Sequence, residues 1–220
     1  MNCPDNMLDL KHSLAKKYLK NAEDYRLVLI TLGNIICGIG EGLQDGYEQI
    51  APTVWVHKSA EIAKTAFIGE HVIIGAGTKV RHCAFIRGNA IIGDGCVVGN
   101  STEIKNSVLF DGVQTPHFNY IGDSILGYRA HLGAGAITSN VRSDKGIIKA
   151  GNAETDAVYS FKKLGALVGD FSEIGCNAVL NPGCVVGKNS IVYPLSSVRG
   201  VVPSDSIYKN ERTIVKRVER

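Results

Sequence analysis

Residues 56–115 read VHKSAE IAKTAF IGEHVI IGAGTK VRHCAF IRGNAI IGDGCV VGNSTE IKNSVL FDGVQT when broken into sixes. Ten successive sixth positions, Val56, Ile62, Ile68, Ile74, Val80, Ile86, Ile92, Val98, Ile104 and Phe110, are apolar. With 45% hydrophobic residues in the chain, chance gives 0.45 to the tenth power, roughly 3 in 10,000. Four residues after each anchor come Ala60, Ala66, Val72, Thr78, Ala84, Ala90, Cys96, Thr102, Val108 and Gln114, all but the last small or β-branched. Neither the helical period of 3.6 nor the strand period of 2 produces this pattern. Short strands joined by tight turns do, with the anchor pointing into a narrow prism and the small residue beside it. Glycines after anchors, as in Ile92-Gly93-Asp94-Gly95, supply turns with positive φ. A fixed period of this kind identifies an all-β solenoid, a parallel β-helix of hexapeptide repeats.

Outward from that stretch the repeat continues and then slips. Ala51-Pro52 opens it, and after Phe110 the next good anchor is Ile121, so five residues, 116–120, are expected to loop out. Leu126 and Leu132 follow, with Ala130 and Ala136 in small slots. Residues 141–163 break the pattern and form an extended loop, which in a compact domain is a functional candidate. The repeat resumes at Val168, Ile174, Leu180, Val186, Val192 and Val198, and Pro203 ends it. Before the solenoid, residues 7–20 and 22–37 read as two helices, broken by Gly38, Gly40 and Gly42 and capping the open β edge of the first coil. The organisation is therefore a helical cap at 1–50, the solenoid at 51–205 and a basic tail at 206–220.

Composition narrows the function classes. A net charge of +3 and pI of about 8.5 are too mild for a nucleic-acid partner. The six cysteines form no C-x-x-C pair, and Cys96 and Cys184 sit in small interior slots, which points to reduced thiols and the cytoplasm. The start of the chain is polar, and its longest apolar run, Leu27 to Ile39, is too short for a membrane span.

Three hexads make one coil, so residues eighteen apart stack about 4.8 Å apart. Arg87 and Lys105 stand in that relation, each directly after an anchor. Two stacked cations suit an anion between them, a phosphate above all, although two solvated surface charges would have the same spacing. His117 lies in the looped-out segment beside Tyr120, where a histidine suits a general base as well as an ordinary surface position. His82, His117 and His131 raise the possibility of a zinc enzyme of the γ-carbonic anhydrase type. The H-x4-H pair such sites use is absent, and no metal is expected.

Three motifs bring a resemblance. Val98 to Asn106, His117 to Ser124 and Leu132 to Asn140 resemble, in order and spacing, the acetyltransferase domain of bifunctional N-acetylglucosamine-1-phosphate uridyltransferases. Asn140-Val141-Arg142-Ser143-Asp144-Lys145 and Lys163-Leu164-Gly165-Ala166 are similar to the archaeal-type sugar-1-phosphate nucleotidyltransferases. The likeness covers roughly residues 51–205 and implies a left-handed hand for the β-helix and a homotrimer with sites between subunits. It implies an acetyl-CoA-dependent N-acetyltransferase acting on an amino-sugar 1-phosphate or nucleotide amino sugar, with acetyl-CoA as co-substrate. By the same resemblance His117 is the base, Asn140 lies beside the reacting groups, and Arg87, Lys105 and Tyr120 hold the sugar phosphate. Ala134 and Cys176 fall where acetyl-CoA is contacted, with Pro194 eighteen residues beyond Cys176. His131 replaces the asparagine common before the Gly-Ala-Gly turn, which bears on the sugar bound, and Lys145 is a further candidate lysine. No glycine-rich nucleotide loop precedes the solenoid, so nucleotidyl transfer is not expected of this chain. A second reading is a non-catalytic, regulatory sugar-phosphate-binding solenoid related to UDP-N-acetylglucosamine pyrophosphorylase.

Hydrogen bonds to a charged group contribute about 1.5–3 kcal/mol each. Alanine at Arg87 or Lys105 is therefore expected to raise the KM for a phosphorylated amino sugar by roughly 10–150-fold. Steady-state kinetics with and without the phosphate on the acceptor check this, and an unchanged KM in both variants removes the clamp.

Overall fold

Anchors and small residues wind the chain into a parallel β-solenoid of three faces in the computed structural model, which describes residues 6–44, 46–151 and 158–218. Strands of one face stack in register with the same face of the next coil. On the polar face, Glu61–Ile62, Lys79–Val80, Val97–Asn100, Gln114–His117, His131–Leu132, Glu173–Ile174 and Ile191–Val192 pair in that order. The site face carries Phe67, Phe85, Glu103, Tyr120, Ile137, Val179 and Ser197 as successive partners. The covered face carries Trp55, Ile73, Ile91, Val108, Ile125, Leu167, Val185 and Val201. Anchors such as Ile74, Ile86, Ile92, Leu126, Val168 and Leu180 are fully buried along the axis.

The slip in the repeat is resolved differently from the expected loop. Ile86 pairs with Ile104, eighteen residues on, whereas Ile92 pairs with Leu109, seventeen on. From there Val98 meets Thr115, Ile104 meets Ile121 and Leu109 meets Leu126, each seventeen apart. Coils shorten by one residue, and nothing is looped out at 116–120: Pro116 and His117 belong to strand Gln114–His117, and Tyr120 opens strand Tyr120–Gly122. Leu109 replaces Phe110 as anchor. Ser107, not Val108, takes the small slot opposite Ala90, while Gln114 is exposed. Dropping one residue at a corner leaves only Arg87 without a partner in the ladder between these coils, whereas a five-residue bulge would strand several backbone polar groups. Thr115 and Thr138 fill buried anchor positions because their hydroxyls bond to Val97 O and Tyr120 O, at 3.2 and 3.4 Å.

The segment before the solenoid is not two regular helices capping the first coil. It comprises 3-10 turns at Leu10–His12 and Tyr25–Thr31 and α-helices at Lys16–Lys20 and Leu32–Gly40. The last helix runs through Gly38 and Gly40 rather than stopping before them. A Cβ on Gly40 would lie 2.4 Å from the Trp55 ring, so its glycine permits close packing. The segment lies lengthwise along the covered face: Met7 O accepts from Asp170 N–H at 3.0 Å, His12 O from Asp111 N–H at 3.0 Å, and Leu32–Gly40 packs on Phe67–Ile74 and Phe85–Ile92. Ile73 alternates with the inward Val72 and Ile74, faces outward, and is nevertheless fully buried, as are Ile91 and Val108. The first coil's edge is covered instead by strand Tyr47–Ala51, antiparallel to Val54–His57.

Residues 141–163 also differ from a plain loop. Ile148–Gly151 and Val158–Phe161 form an antiparallel hairpin, with residues 152–157 outside the described set. The basic end forms a second hairpin, Ser206–Asn210 with Thr213–Lys216, whose first strand adds to Ile191–Val192 and extends the solenoid. The expected bounds of 1–50 and 206–220 include residues 1–5, 45 and 219–220, which lie outside the described set. Among the described residues no helix is long and apolar enough to cross a membrane.

Ile36, fully buried over the covered face, is expected to cost about 2–5 kcal/mol when replaced by alanine. Ile30, 66% exposed in the same segment, should cost within about 0.5 kcal/mol. Urea denaturation of both variants checks whether the segment is an integral layer; equal midpoints would show that it is not.

Candidate active site

Where the polar face turns into the site face, one residue per coil adopts a left-handed backbone: Cys83, Ser101, Phe118, Asn177 and Leu195, with φ between 51° and 60°. The residue before each forms a column whose carbonyl accepts from the turn above. Phe118 N–H bonds Asn100 O at 2.9 Å, Gly135 N–H bonds His117 O at 3.0 Å, Asn177 N–H bonds Ala134 O at 2.8 Å, and Leu195 N–H bonds Cys176 O at 2.9 Å. His117, Ala134, Cys176 and Pro194 therefore stand on successive coils of a single edge, spanning three coil spacings or about 14 Å. His117, Cys176 and Pro194 are exposed, and Ala134 is partly so. His117 is a strand-end residue rather than the tip of a protruding loop. Its backbone is fixed by Asn119, whose buried amide accepts from His117 N–H at 3.2 Å and donates to Gly133 O at 2.8 Å.

At the opposite edge of the site face the charged residues gather. Arg87 does not stack on Lys105 as the eighteen-residue spacing implied. It is the extra residue at the register shift, and Lys105 pairs with Gly88 instead. Neither cation is unpartnered: Arg87 Nη1 meets Glu103 Oε1 at 2.9 Å, and Lys105 Nζ meets Asp123 at 3.1 and 3.0 Å. Asp123 also accepts from Asn106 Nδ2 at 2.8 Å and from Asn140 Nδ2. Tyr120 lies between the edges, half-buried, and burial, followed by the charges of Asp123 and Glu103, raises its phenol above the usual value, with Asn140 opposing. Beyond Asn140 a cleft of about 300 Å³ is lined by Ser139, Arg142, Asn181 and Arg199 among others. Lys145, on the same loop, has a left-handed φ of 57°.

His131 does not join this group within the chain. It sits on the polar face opposite Gln114 and Glu173, its Nδ1 2.7 Å from Glu173 Oε2. It lines a cleft of about 680 Å³ with Asp94, Asp111, Tyr128 and Arg129. Nor do the three histidines considered for zinc converge: His82 and His117 stand two coils apart on one edge, with Asn100 between, and His131 is on the polar face. His82 Nδ1 meets Thr65 Oγ1 at 2.6 Å instead. Reading by sixes missed Glu103 and Asp123 as partners of the cations, and Asn106 as a further donor to Asp123. Asp123 follows Ile121-Gly122 as Asp94 follows Ile92-Gly93, so it reads as a turn residue. Its pairing emerges only from the shortened coil.

The chain is similar to GlmU proteins. The bifunctional protein GlmU of Methanococcus aeolicus is 33% identical over 193 residues, 79% of this chain and 47% of that protein. The GlmU of Methanocaldococcus jannaschii is 30% identical over 62% of this chain and 33% of its own length. A bifunctional sugar-1-phosphate nucleotidylyltransferase/acetyltransferase of Sulfurisphaera tokodaii is 28% identical over 81% of this chain and 44% of its own length. The chain spans about half or less of the curated relatives it matches. No family model matches the sequence. Among solved structures, a mutant perosamine N-acetyltransferase from Caulobacter crescentus in complex with CoA and GDP-perosamine is 17% identical, with a TM-score of 0.41, covering 76% of this chain and 57% of that one. The acetyltransferase domain of PglB from Neisseria gonorrhoeae, in complex with acetyl coenzyme A, is 15% identical, with a TM-score of 0.37, over 74% and 57%.

Glu173 beside His131 holds the imidazole above its ordinary value of 6.5. A raised folded value contributes stability that is fully present below the unfolded value and is lost as pH rises through the folded one. Glu173→Gln is therefore expected to lower the melting temperature most below about pH 6.5, with the difference shrinking at higher pH. Melting curves of both proteins from pH 5 to 9 check this; a pH-independent difference would contradict the pairing.

Proposed function

We propose that this chain is an acetyl-CoA-dependent N-acetyltransferase acting on an amino-sugar 1-phosphate or a nucleotide-linked amino sugar. The observation that carries the reading is the single edge on which His117, Ala134, Cys176 and Pro194 follow one another, coil by coil. Small exposed residues along such an edge let an extended thioester cofactor lie close to the backbone and end at His117. The similarity to a bifunctional GlmU protein and to a bifunctional nucleotidylyltransferase/acetyltransferase, over 79% and 81% of this chain, supports the same class.

In this mechanism the acceptor amine reacts in its neutral form, and His117 accepts a proton from its nitrogen as it attacks. The nitrogen lone pair forms a bond to the thioester carbonyl carbon, and the carbonyl π electrons move to oxygen. A hydrogen-bond donor must meet that oxyanion. Asn140 is assigned the role: one N–H of its amide goes to Asp123, and the second, on the side of the Tyr120 phenol, turns to the oxyanion when substrate is bound. Collapse of the tetrahedral centre breaks the carbon–sulfur bond and expels the CoA thiolate, which recovers the proton from His117. Tyr120 contacts the sugar. The acceptor phosphate is received by Arg87 and Lys105, and because each already holds a carboxylate, the phosphate enters an ion-paired corner rather than a bare cationic one. The reading includes a homotrimer in which a neighbouring subunit closes the site, with His131 the residue offered from its polar face.

His117→Ala is expected to lower turnover by about 10²–10⁴-fold, the usual size of a general-base contribution. The acetyl-CoA KM should hardly move, because the imidazole serves the amine. The assay follows free thiol release from acetyl-CoA with glucosamine 1-phosphate as the first acceptor. A loss below about ten-fold would take His117 out of the mechanism, and no thiol release by the unmodified protein across an amino-sugar panel would take out the reading itself.

A further inference from the structure

Asp123 is the most heavily engaged side chain of the candidate site. Its carboxylate is 7% exposed and receives Lys105 Nζ on both oxygens, Asn106 on Oδ1 and Asn140 on Oδ2. An ionised carboxylate offers about four lone-pair positions. All of them are taken by side chains from the two coils that flank it, so no acceptor position is left for a proton in transit or for a substrate. Its work is orientation. Because a carboxylate only accepts, the amide of Asn140 must turn its nitrogen toward Asp123, which fixes where the second N–H lies. The Lys105 stem is flexible and its ammonium has no directional preference of its own; two contacts to one buried carboxylate set its place.

The backbone locks the same junction. Asp123 adopts a left-handed φ of 48°, in line with Asn89 at 49° and Asn106 at 48° on the coils below. Asp123 N–H donates to Lys105 O at 2.9 Å, Asp123 O accepts from Gly165 N–H at 2.8 Å, and Asn140 O accepts from Leu164 N–H at 3.0 Å. The excursion of residues 141–163 therefore leaves and rejoins the solenoid against Asp123 and Asn140. One carboxylate joins the phosphate-receiving lysine, the oxyanion donor and the neck of the excursion.

We propose that Asp123 is the positioning residue of this site, holding Lys105 and Asn140 in the relative placement that acetyl transfer to a phosphorylated amino sugar requires. The inference rests on the acetyltransferase reading above.

Asp123→Asn keeps shape and tolerates the left-handed backbone, but loses the charge and half of the acceptor capacity. It is expected to raise the KM for glucosamine 1-phosphate about ten-fold or more and to lower kcat, with the acetyl-CoA KM and melting temperature nearly unchanged. Made in a Lys105→Ala background, it should add little to the acceptor KM, since the two share one interaction. Additive losses, or a parallel fall in melting temperature and in apparent affinity for both substrates, would overturn the proposal in favour of a purely structural role. If the unmodified protein transfers no acetyl group, the function reading fails, and the placement is read separately. Trace labelling of lysines with acetic anhydride, followed by peptide mass spectrometry, should then show Lys105 labelled several-fold faster in Asp123→Asn than in the unmodified protein, with Lys79 as internal standard. Equal labelling of Lys105 in the two proteins would overturn the placement itself.

Discussion

The parallel backbone ladder between successive coils governs everything else in this molecule. Each face donates and accepts to the coil above and below, so a residue's position is fixed by the partner it faces one coil away. Such a ladder tolerates a change in coil length only where the chain turns, because only there can a residue be gained or lost without orphaning an amide. The shift after Ile86 and Ile104 is of this kind, with Gly88 opposite Lys105 and Arg87 left over. That corner is one residue short in two successive coils, between Ile104 and Leu109 and again between Ile121 and Leu126. That is what sets His117 at a strand end and brings Lys105 against Asp123.

A three-faced prism has an interior too narrow to hold all the aliphatic side chains this sequence offers. The surplus forms an outward column on the covered face, Ile73, Ile91, Val108, Ile125 and Leu167. Complete burial of such a side chain stabilises by about 1.5–3 kcal/mol. The segment before the solenoid supplies the other half of that layer through Leu19, Leu32 and Ile36. Its length follows the column rather than the end of the prism, running from Asp170 through Asp111 toward Trp55. A buried ion pair, Arg26 with Asp24, and the 2.7 Å hydrogen bond from Tyr159 to Glu23 tie it into itself and to the excursion hairpin. With one face covered in this way, the polar and site faces remain open.

The two edges of the site face differ in their chemistry. The His117 edge is built from small or exposed residues on a repeating left-handed turn, which leaves the backbone accessible along its length. At the other edge a buried carboxylate is saturated by donors, and a second, more exposed pair, Arg87 with Glu103, adds no net charge. Ion pairs of this sort contribute little to stability when exposed, yet they fix direction. The result is a neutral, ordered corner whose donors have their positions already set.

The period of six, carried by ten apolar anchors, was enough to determine a parallel β-solenoid, its axis and most of its interior, because interior volume admits large and small side chains only in that alternation. Ala134 and Cys176 follow from the family resemblance and Pro194 from its eighteen-residue spacing to Cys176; that they share one edge with His117 is decided by the coil lengths of the fold. Periodicity could not locate the shortened coil: Thr115 and Thr138 are polar in composition and become anchors only when a carbonyl one coil away takes their hydroxyls. It could not predict the covering layer either, since glycines at 38 and 40 look like helix breaks until Trp55 is seen to need the space. Asp123 reads in sequence as one more turn residue after a glycine. Its role depends on donors seventeen and eighteen residues away, and that distance is a property of the folded coil: the ladder decides which corner each side chain reaches, and the ladder exists only in the tertiary structure.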